Sequence, residues 1–124
     1  MKFIGKKILI VEDDEINILL LEILFEENKV NTVFCKDSYE FFEKYTGNED
    51  IIILDIRIPG EKDGKDLLKY IKESNPEKIV IMQTAYPDER AECLKLGAND
   101  FIQKPFAMPT LLNSIEKILK IIEE

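Results

Sequence analysis

The chain contains no histidine and no tryptophan. Without histidine, phosphohistidine, zinc–histidine or Ser–His chemistry cannot reside wholly on this chain. It has only two cysteines, Cys35 and Cys93. They fall in a predicted strand and a predicted helix, and read as reduced thiols in a reducing compartment, neither a disulfide nor a metal pair. Positive charge is scarce: 17 Lys and Arg stand against 25 Asp and Glu, for a net charge of -8 and a pI near 4.7. Such a surface excludes direct nucleic-acid binding, which needs a basic face. No apolar run approaches the roughly 20 residues of a membrane span. The opening "MKFIGKKILIVEDD" turns acidic too soon for a signal peptide. A cytoplasmic protein with no membrane insertion is the expectation. Repeats, low-complexity segments and Gly/Ser linkers are absent as well.

What remains is an ordinary globular composition, 45% apolar and 34% charged over 124 residues, enough for one well-cored domain spanning residues 1–124. Strand and helix signals alternate along it. "KILIV" (Lys7–Val11) is a strand, followed by the helix "EINILLLEILFEEN" with Ile16, Leu19, Leu20, Ile23 and Leu24 at helical spacing. "NTVFC" (Asn31–Cys35) precedes a short helix from Ser38 that carries Phe41, Phe42 and Tyr45. "DIIILD" precedes the helix "GKDLLKYIKES", with Leu67, Leu68 and Ile71 facing inward. "KIVIMQ" (Lys78–Gln83) precedes "DERAECLKLG", a helix stopped at Gly97. "NDFIQK" (Asn99–Lys104) precedes the amphipathic "MPTLLNSIEKILKIIEE". In that last helix Met108, Leu111, Leu112, Ile115, Ile118, Leu119, Ile121 and Ile122 exceed one core-facing stripe. Five strands alternating with five helices predict an α/β domain with a parallel sheet and helices on both faces. "ILIV", "IIIL" and "IVIM" are apolar throughout, as central parallel strands must be; "TVFCK" and "FIQK" are mixed, as edge strands are.

In open α/β sheets, ligands sit beyond the carboxyl ends of the strands. At those ends lie Glu12, Asp13 and Asp14, then Asp55, then Thr84 with Ala85 and Tyr86, then Lys104 with Pro105. Each alone has an ordinary explanation. An acid after the first strand caps a helix, with Asp14 the best placed, and Asp55, Thr84 or Lys104 alone is a loop residue. Four strands delivering a polar group to the same sheet edge is not ordinary. Glu12, Asp13 and Asp55 concentrate negative charge that calls for protonation or a counter-ion. A hard divalent cation suits oxygen ligands and binds phosphoryl oxygens. Asp55, ending a buried strand, is left to act as a carboxylate nucleophile, with Lys104 as fixed positive charge and Thr84 as hydroxyl donor. That is a phosphoryl-acceptor site.

At these residues the sequence resembles response-regulator receiver domains of two-component signalling, over essentially the whole chain. "LIVEDD" is similar to the family's acidic pair, Glu12 and Asp13, and "LDIRIPG" to its phosphoacceptor segment, with Asp55 as acceptor. "TAY" corresponds to the switch hydroxyl at Thr84, and "FIQKPF" to the switch aromatic Phe101 and the active-site Lys104. The resemblance implies a CheY-like, flavodoxin-like doubly wound (βα)5 fold of strand order 2-1-3-4-5. It implies Mg²⁺ (or Mn²⁺) held by Glu12, Asp13, Asp55 and the backbone carbonyl of Arg57, and a cis Lys104–Pro105 bond. It implies an aspartyl phosphate on Asp55, taken from a histidine kinase or histidine phosphotransfer protein in a phosphorelay, and a module that is not a turnover enzyme. Thr84 and Phe101 would couple the site to the face formed by the fourth helix, fifth strand and fifth helix, where self-association or a downstream protein would be governed. Arg57 and Tyr86, each two residues beyond a site residue, would flank the water that removes the phosphoryl group. Three departures stand out. The loop "PGEKDG" is a residue longer than usual and is expected to bulge. Thr84 and Lys104 stand closer together than usual, which predicts a short or shifted fourth helix. The segment before Asp55 is slightly short, around "TGNED".

The rival enzyme reading is a haloacid-dehalogenase-type, Mg²⁺-dependent phosphohydrolase with an Asp nucleophile. That family's nucleophile follows the first strand with a second Asp two residues on, and "VEDDEI" does not match. A flavin site would need a hydroxyl- or glycine-rich loop where "EDDE" repels phosphate. A pseudo-receiver that only binds would usually lack one of the acids or the lysine. A stand-alone receiver, a relay intermediate and a piece of a larger regulator or hybrid kinase all read alike.

Overall fold

The computed structural model describes residues 4–104 and 108–123 and, within the last helix, the side chains of residues 109–119. The elements alternate as β1 (Lys7–Val11), α1 (Glu15–Glu27), β2 (Asn31–Cys35), α2 (Ser38–Lys44), β3 (Ile51–Asp55), α3 (Gly64–Ser74), β4 (Ile79–Thr84), α4 (Arg90–Lys95), β5 (Asp100–Gln103) and α5 (Met108–Glu123). The strands form one sheet of order β2-β1-β3-β4-β5, parallel at every pairing. This is the flavodoxin-like order expected from the resemblance; periodicity alone could not order the strands. The central strands β3 and β4 are buried at every position, because helices cover both faces.

Side-chain alternation divides the core. Leu9, Val11, Ile52, Leu54, Val80, Met82 and Phe101 pack toward α2, α3 and α4, against Phe41, Leu67, Leu68, Ile71 and Cys93. Ile8, Ile10, Ile51, Ile53, Ile79, Ile81 and Ile102 pack toward α1 and α5, against Leu21, Phe25, Leu111 and Ile115. Both cysteines are free and buried. Burial pushes the Cys35 thiol up to about 12 and the Cys93 thiol up to about 11.

The inward face of α1 differs from the expected stripe. Ile18, Leu21 and Phe25 are buried, with Leu24 partly so. Ile16, Leu19, Leu20 and Ile23 are exposed. The helix is apolar on two sides, so its spacing fits either stripe. The stripe that ends on Phe25 buries the larger ring, about 1.5–3 kcal/mol for a side chain of that class. Main-chain bonds from Asn28 and Val30 to the Phe25 carbonyl then turn the chain into β2. Asp14 occupies the N-cap of α1, but its side chain makes no cap hydrogen bond.

The fourth helix is short, as its spacing predicts. A single 3-10 turn, Pro87–Glu89, leads into six helical residues, and Gly97 ends them with φ of +105°. On α5 the surplus stripe is only partly as expected. Leu111, Ile115 and Leu119 are buried, and Leu112 and Ile118 pack against the same core instead of forming a spare face. The side chains of Met108, Ile121 and Ile122 lie outside the described residues, as does the Lys104–Pro105 bond. The long loop before α3 is anchored at both ends. Ser38 N–H donates to the Pro59 carbonyl, and Asp63 and Asp66 form a reciprocal capping box at the start of α3.

Candidate functional site

The loop ends beyond β1, β3, β4 and β5 converge. Glu12 is 1% exposed and Asp55 8%, whereas Asp13 is exposed. One carboxylate oxygen from each of Glu12, Asp13 and Asp55 lies within 4.8 Å of the others. Lys104 reaches into the cluster from the end of β5. Its Nζ donates to Asp55 Oδ2 at 2.6 Å and to Glu12 Oε1 at 2.5 Å. The Lys104 main-chain N–H donates to the Thr84 carbonyl at 2.7 Å, so β4 fixes where the lysine begins.

Burial raises the Asp55 carboxyl above its ordinary range, and the hydrogen bond and charge of Lys104 pull part of that back. For Lys104, burial works against the ammonium, but the bonds from Asp55 and Glu12 outweigh it and hold the lysine above its ordinary value. Among the described residues the cluster sets three carboxylates against this one ammonium. The donor set is all oxygen, partly buried, and opened to solvent through Asp13. It therefore fits a hard divalent cation that keeps part of its water shell.

Asp55 is aimed by its backbone. The Arg57 N–H donates to Asp55 Oδ1 at 3.2 Å. Gly64, the first residue of α3, packs against the strand end, and its N–H donates to the Ile56 carbonyl. A methyl group at Gly64 would stand 2.0 Å from the Asp55 carbonyl oxygen, so only glycine lets the helix approach there.

The other expected residues are arranged around this centre. Thr84 is fully buried, and its hydroxyl accepts from the Tyr86 N–H at 3.3 Å. Phe101 is 6% exposed and lies on the same side of the sheet as Met82; alternation puts Thr84 on that side too. The Arg90 guanidinium donates to the Phe101 carbonyl and lies 6.0 Å from the ring centroid. Arg57 and Tyr86 meet each other, the guanidinium 4.6 Å over the ring. Glu89 binds Arg57 at 3.8 Å and Lys65 at 2.7 Å, tying this stack to α3.

Sequence reasoning missed three participants. Asn17 Nδ2 donates to Glu12 Oε1 at 3.3 Å, and Gln83 Nε2 reaches the same oxygen at 3.5 Å. Gln83 had a signal: it is the polar residue that interrupts "IVIM" just before Thr84. Glu89 had none, because its partners are distant in sequence.

A family model described as response regulator receiver domain matches residues 8–116. The chain is 36% identical over 118 residues to the transcriptional regulatory protein FlgR of Helicobacter pylori, covering 94% of this chain and 30% of that protein. It is 34% identical over 116 residues to the transcriptional regulatory protein CpxR of Escherichia coli, covering 92% of this chain and 49% of that one. The chain thus spans half or less of these curated relatives. Among solved structures, the non-phosphorylated HemR receiver domain from Leptospira biflexa is similar at a TM-score of 0.85 and 31% identity, over 93% of this chain and 94% of that one. The response regulator TrrA from Thermotoga maritima, in complex with Mg²⁺ and BeF, is similar at 0.79 and 30% identity, over 90% and 97%.

Proposed function

The chain belongs to the response regulator receiver domain family of two-component signalling, and from that premise we propose that Asp55 is its phosphoacceptor. The observation that carries this is the convergence of Glu12, Asp13 and Lys104 on one oxygen-rich centre around Asp55. Labelling by a small phosphodonor, lost in Asp55→Ala, is its test.

Each side chain then has a task. Glu12, Asp13 and Asp55, with the Arg57 carbonyl, hold Mg²⁺ (or Mn²⁺). The cation, when bound, neutralises charge on the phosphoryl oxygens. TrrA, crystallised with Mg²⁺ and BeF, supports that choice of metal. One Asp55 carboxylate oxygen attacks phosphorus while the donor's nitrogen or oxygen leaves with its bonding pair. Lys104 moves its ammonium from the carboxylates to the incoming phosphoryl oxygens. Thr84 releases the Tyr86 N–H and donates its hydroxyl to one of them. Its departure frees space on the side of the sheet it shares with Phe101, a two-state element biased by new charge. The responsive face is α4, β5 and α5, where Arg90 already grips Phe101.

The phosphodonor is a histidine kinase or histidine phosphotransfer protein, as membership of the receiver domain family implies. Ile16, Leu19, Leu20 and Ile23 form an exposed stripe on α1. The stripe begins three residues after Asp13, where a partner delivering a phosphoryl group would rest. Residues 1–124 act as one receiver unit, an acceptor and not a turnover enzyme, in the cytoplasm. Among the described residues no helix is long and apolar enough to cross a membrane.

A further inference from the structure

Gln83 is fully buried near the carboxyl end of β4. It pairs in register with Asp55 on β3 and with Ile102 on β5. It follows Ile81 by two residues, so its side chain falls on the α1/α5 side of the sheet. A polar residue here is costly, because an amide taken out of water needs its hydrogen bonds replaced. Gln83 is only half paired. Its Nε2 reaches Glu12 Oε1 at 3.5 Å. Its Oε1 is buried and has no hydrogen-bond partner among the described residues. The amide cannot turn round to relieve this, because Glu12 is an acceptor and takes only the N–H end.

The Glu12 oxygen is already crowded. Lys104 Nζ, Asn17 Nδ2 and Gln83 Nε2 all address Oε1, while Oε2, among the described residues, accepts from the Asp14 N–H alone. One carboxylate oxygen offers about two lone-pair sites. While Lys104 holds the oxygen, the longer bond from Gln83 is a reserve. When Lys104 leaves for a phosphoryl oxygen, Gln83 and Asn17 are the side-chain donors left to keep Glu12 turned the right way. The orphan Oε1 then needs a donor, and a hydrated cation beside Glu12 would bring O–H donors in its water shell.

We propose that Gln83 is a positioning residue for the acidic centre: its amide nitrogen holds Glu12 from beneath, and its spare carbonyl oxygen accepts from the water shell of the bound cation. This rests on the metal reading above. It assigns no chemical step to Gln83, which acts through Glu12. Partners that orient metal ligands in this way are typically worth about 10–100-fold in metal affinity.

The test is Mg²⁺ titration of the whole chain, followed by backbone amide shifts, for wild type and Gln83→Met. Methionine keeps the volume and removes both polar ends. The expected result is a dissociation constant raised about tenfold or more. Metal-free Gln83→Met should melt no lower than wild type, because an unpaired buried acceptor has gone. A residue that merely fills the core would give the reverse, a lower melting temperature with unchanged Mg²⁺ affinity, and that result overturns the proposal. Wild type that binds no Mg²⁺ overturns the metal reading and this inference together. Should Gln83→Met fail to fold, the wild-type Gln83 carboxamide resonances decide. They should shift with Mg²⁺ along the same binding curve as the Asp13 amide; resonances that stay still while Asp13 shifts contradict the role.

Discussion

Lys104 donates to Asp55 Oδ2 across 2.6 Å with little of either side chain exposed. The only ammonium bonded to this carboxylate centre among the described residues therefore already rests on the proposed acceptor. Removing it leaves Asp55 and Glu12 as buried carboxylates with no cation paired to them among the described residues. Breaking a buried pair from one side costs about 3–5 kcal/mol. Lys104→Met should thus melt well below wild type in EDTA, and saturating Mg²⁺ should restore part of the loss by neutralising the same oxygens. Thermal melts in EDTA and in Mg²⁺ check this; a wild-type melting temperature in EDTA would count against it.

Gly64 allows α3 to abut the strand that carries Asp55. An added methyl would meet the Asp55 carbonyl oxygen at 2.0 Å and the Ile56 Cα at 2.7 Å. Both are backbone atoms and cannot swing aside. Gly64→Ala should cost about 1–3 kcal/mol in urea unfolding, as overpacking does, and should slow labelling of Asp55 by shifting its backbone. Unfolding and labelling indistinguishable from wild type would refute the close approach.

Adjacent leucines on α1 separate two faces. Leu20 is 44% exposed and Leu21 1%. Leu21→Ala should lose about 2–5 kcal/mol, while Leu20→Gln should stay within about 0.5 kcal/mol of wild type. If Leu20→Gln loses as much as Leu21→Ala, the helix is turned the other way.

The same helix marks where sequence reading stops. The alternation of strands and helices was legible because three strands are uninterrupted apolar runs and the helices between them carry clear stops, such as Gly97; the strand order was not, and came from the family resemblance. The site was legible because Glu12, Asp13, Asp55, Thr84 and Lys104 stand at strand ends, where α/β sheets gather their chemistry. The rotation of α1 was not legible, since Ile16, Leu19, Leu20 and Ile23 have the same spacing as a buried stripe. Packing of Phe25 decided it. Nor was the Glu89 bridge between Arg57 and Lys65, because it joins two loops and a helix that only the folded chain brings together.

Arg57 stacked on Tyr86, and held by Glu89, forms a bulky pair beside the site. The carboxylates of the acidic centre, Glu12, Asp13 and Asp55, are the proposed metal ligands, which leaves none of them as a base for water once the metal is bound. The aspartyl phosphate should therefore last many minutes or longer in Mg²⁺. Arg57→Asn with Tyr86→Glu removes the stack and adds a carboxylate, and should shorten the lifetime. Following loss of label over time measures both. Decay of wild type within seconds, or no change in the double variant, would rule out shielding by this pair.

The most direct measurement is intact mass after incubation with Mg²⁺ and acetyl phosphate, for wild type, Asp55→Ala and wild type in EDTA. Wild type should gain the mass of one phosphoryl group, labile to hydroxylamine as an acyl phosphate is. Asp55→Ala should gain none, and EDTA should abolish labelling of wild type. Full labelling of Asp55→Ala, or labelling of wild type that ignores the removal of metal, would contradict Asp55 as the metal-dependent phosphoacceptor.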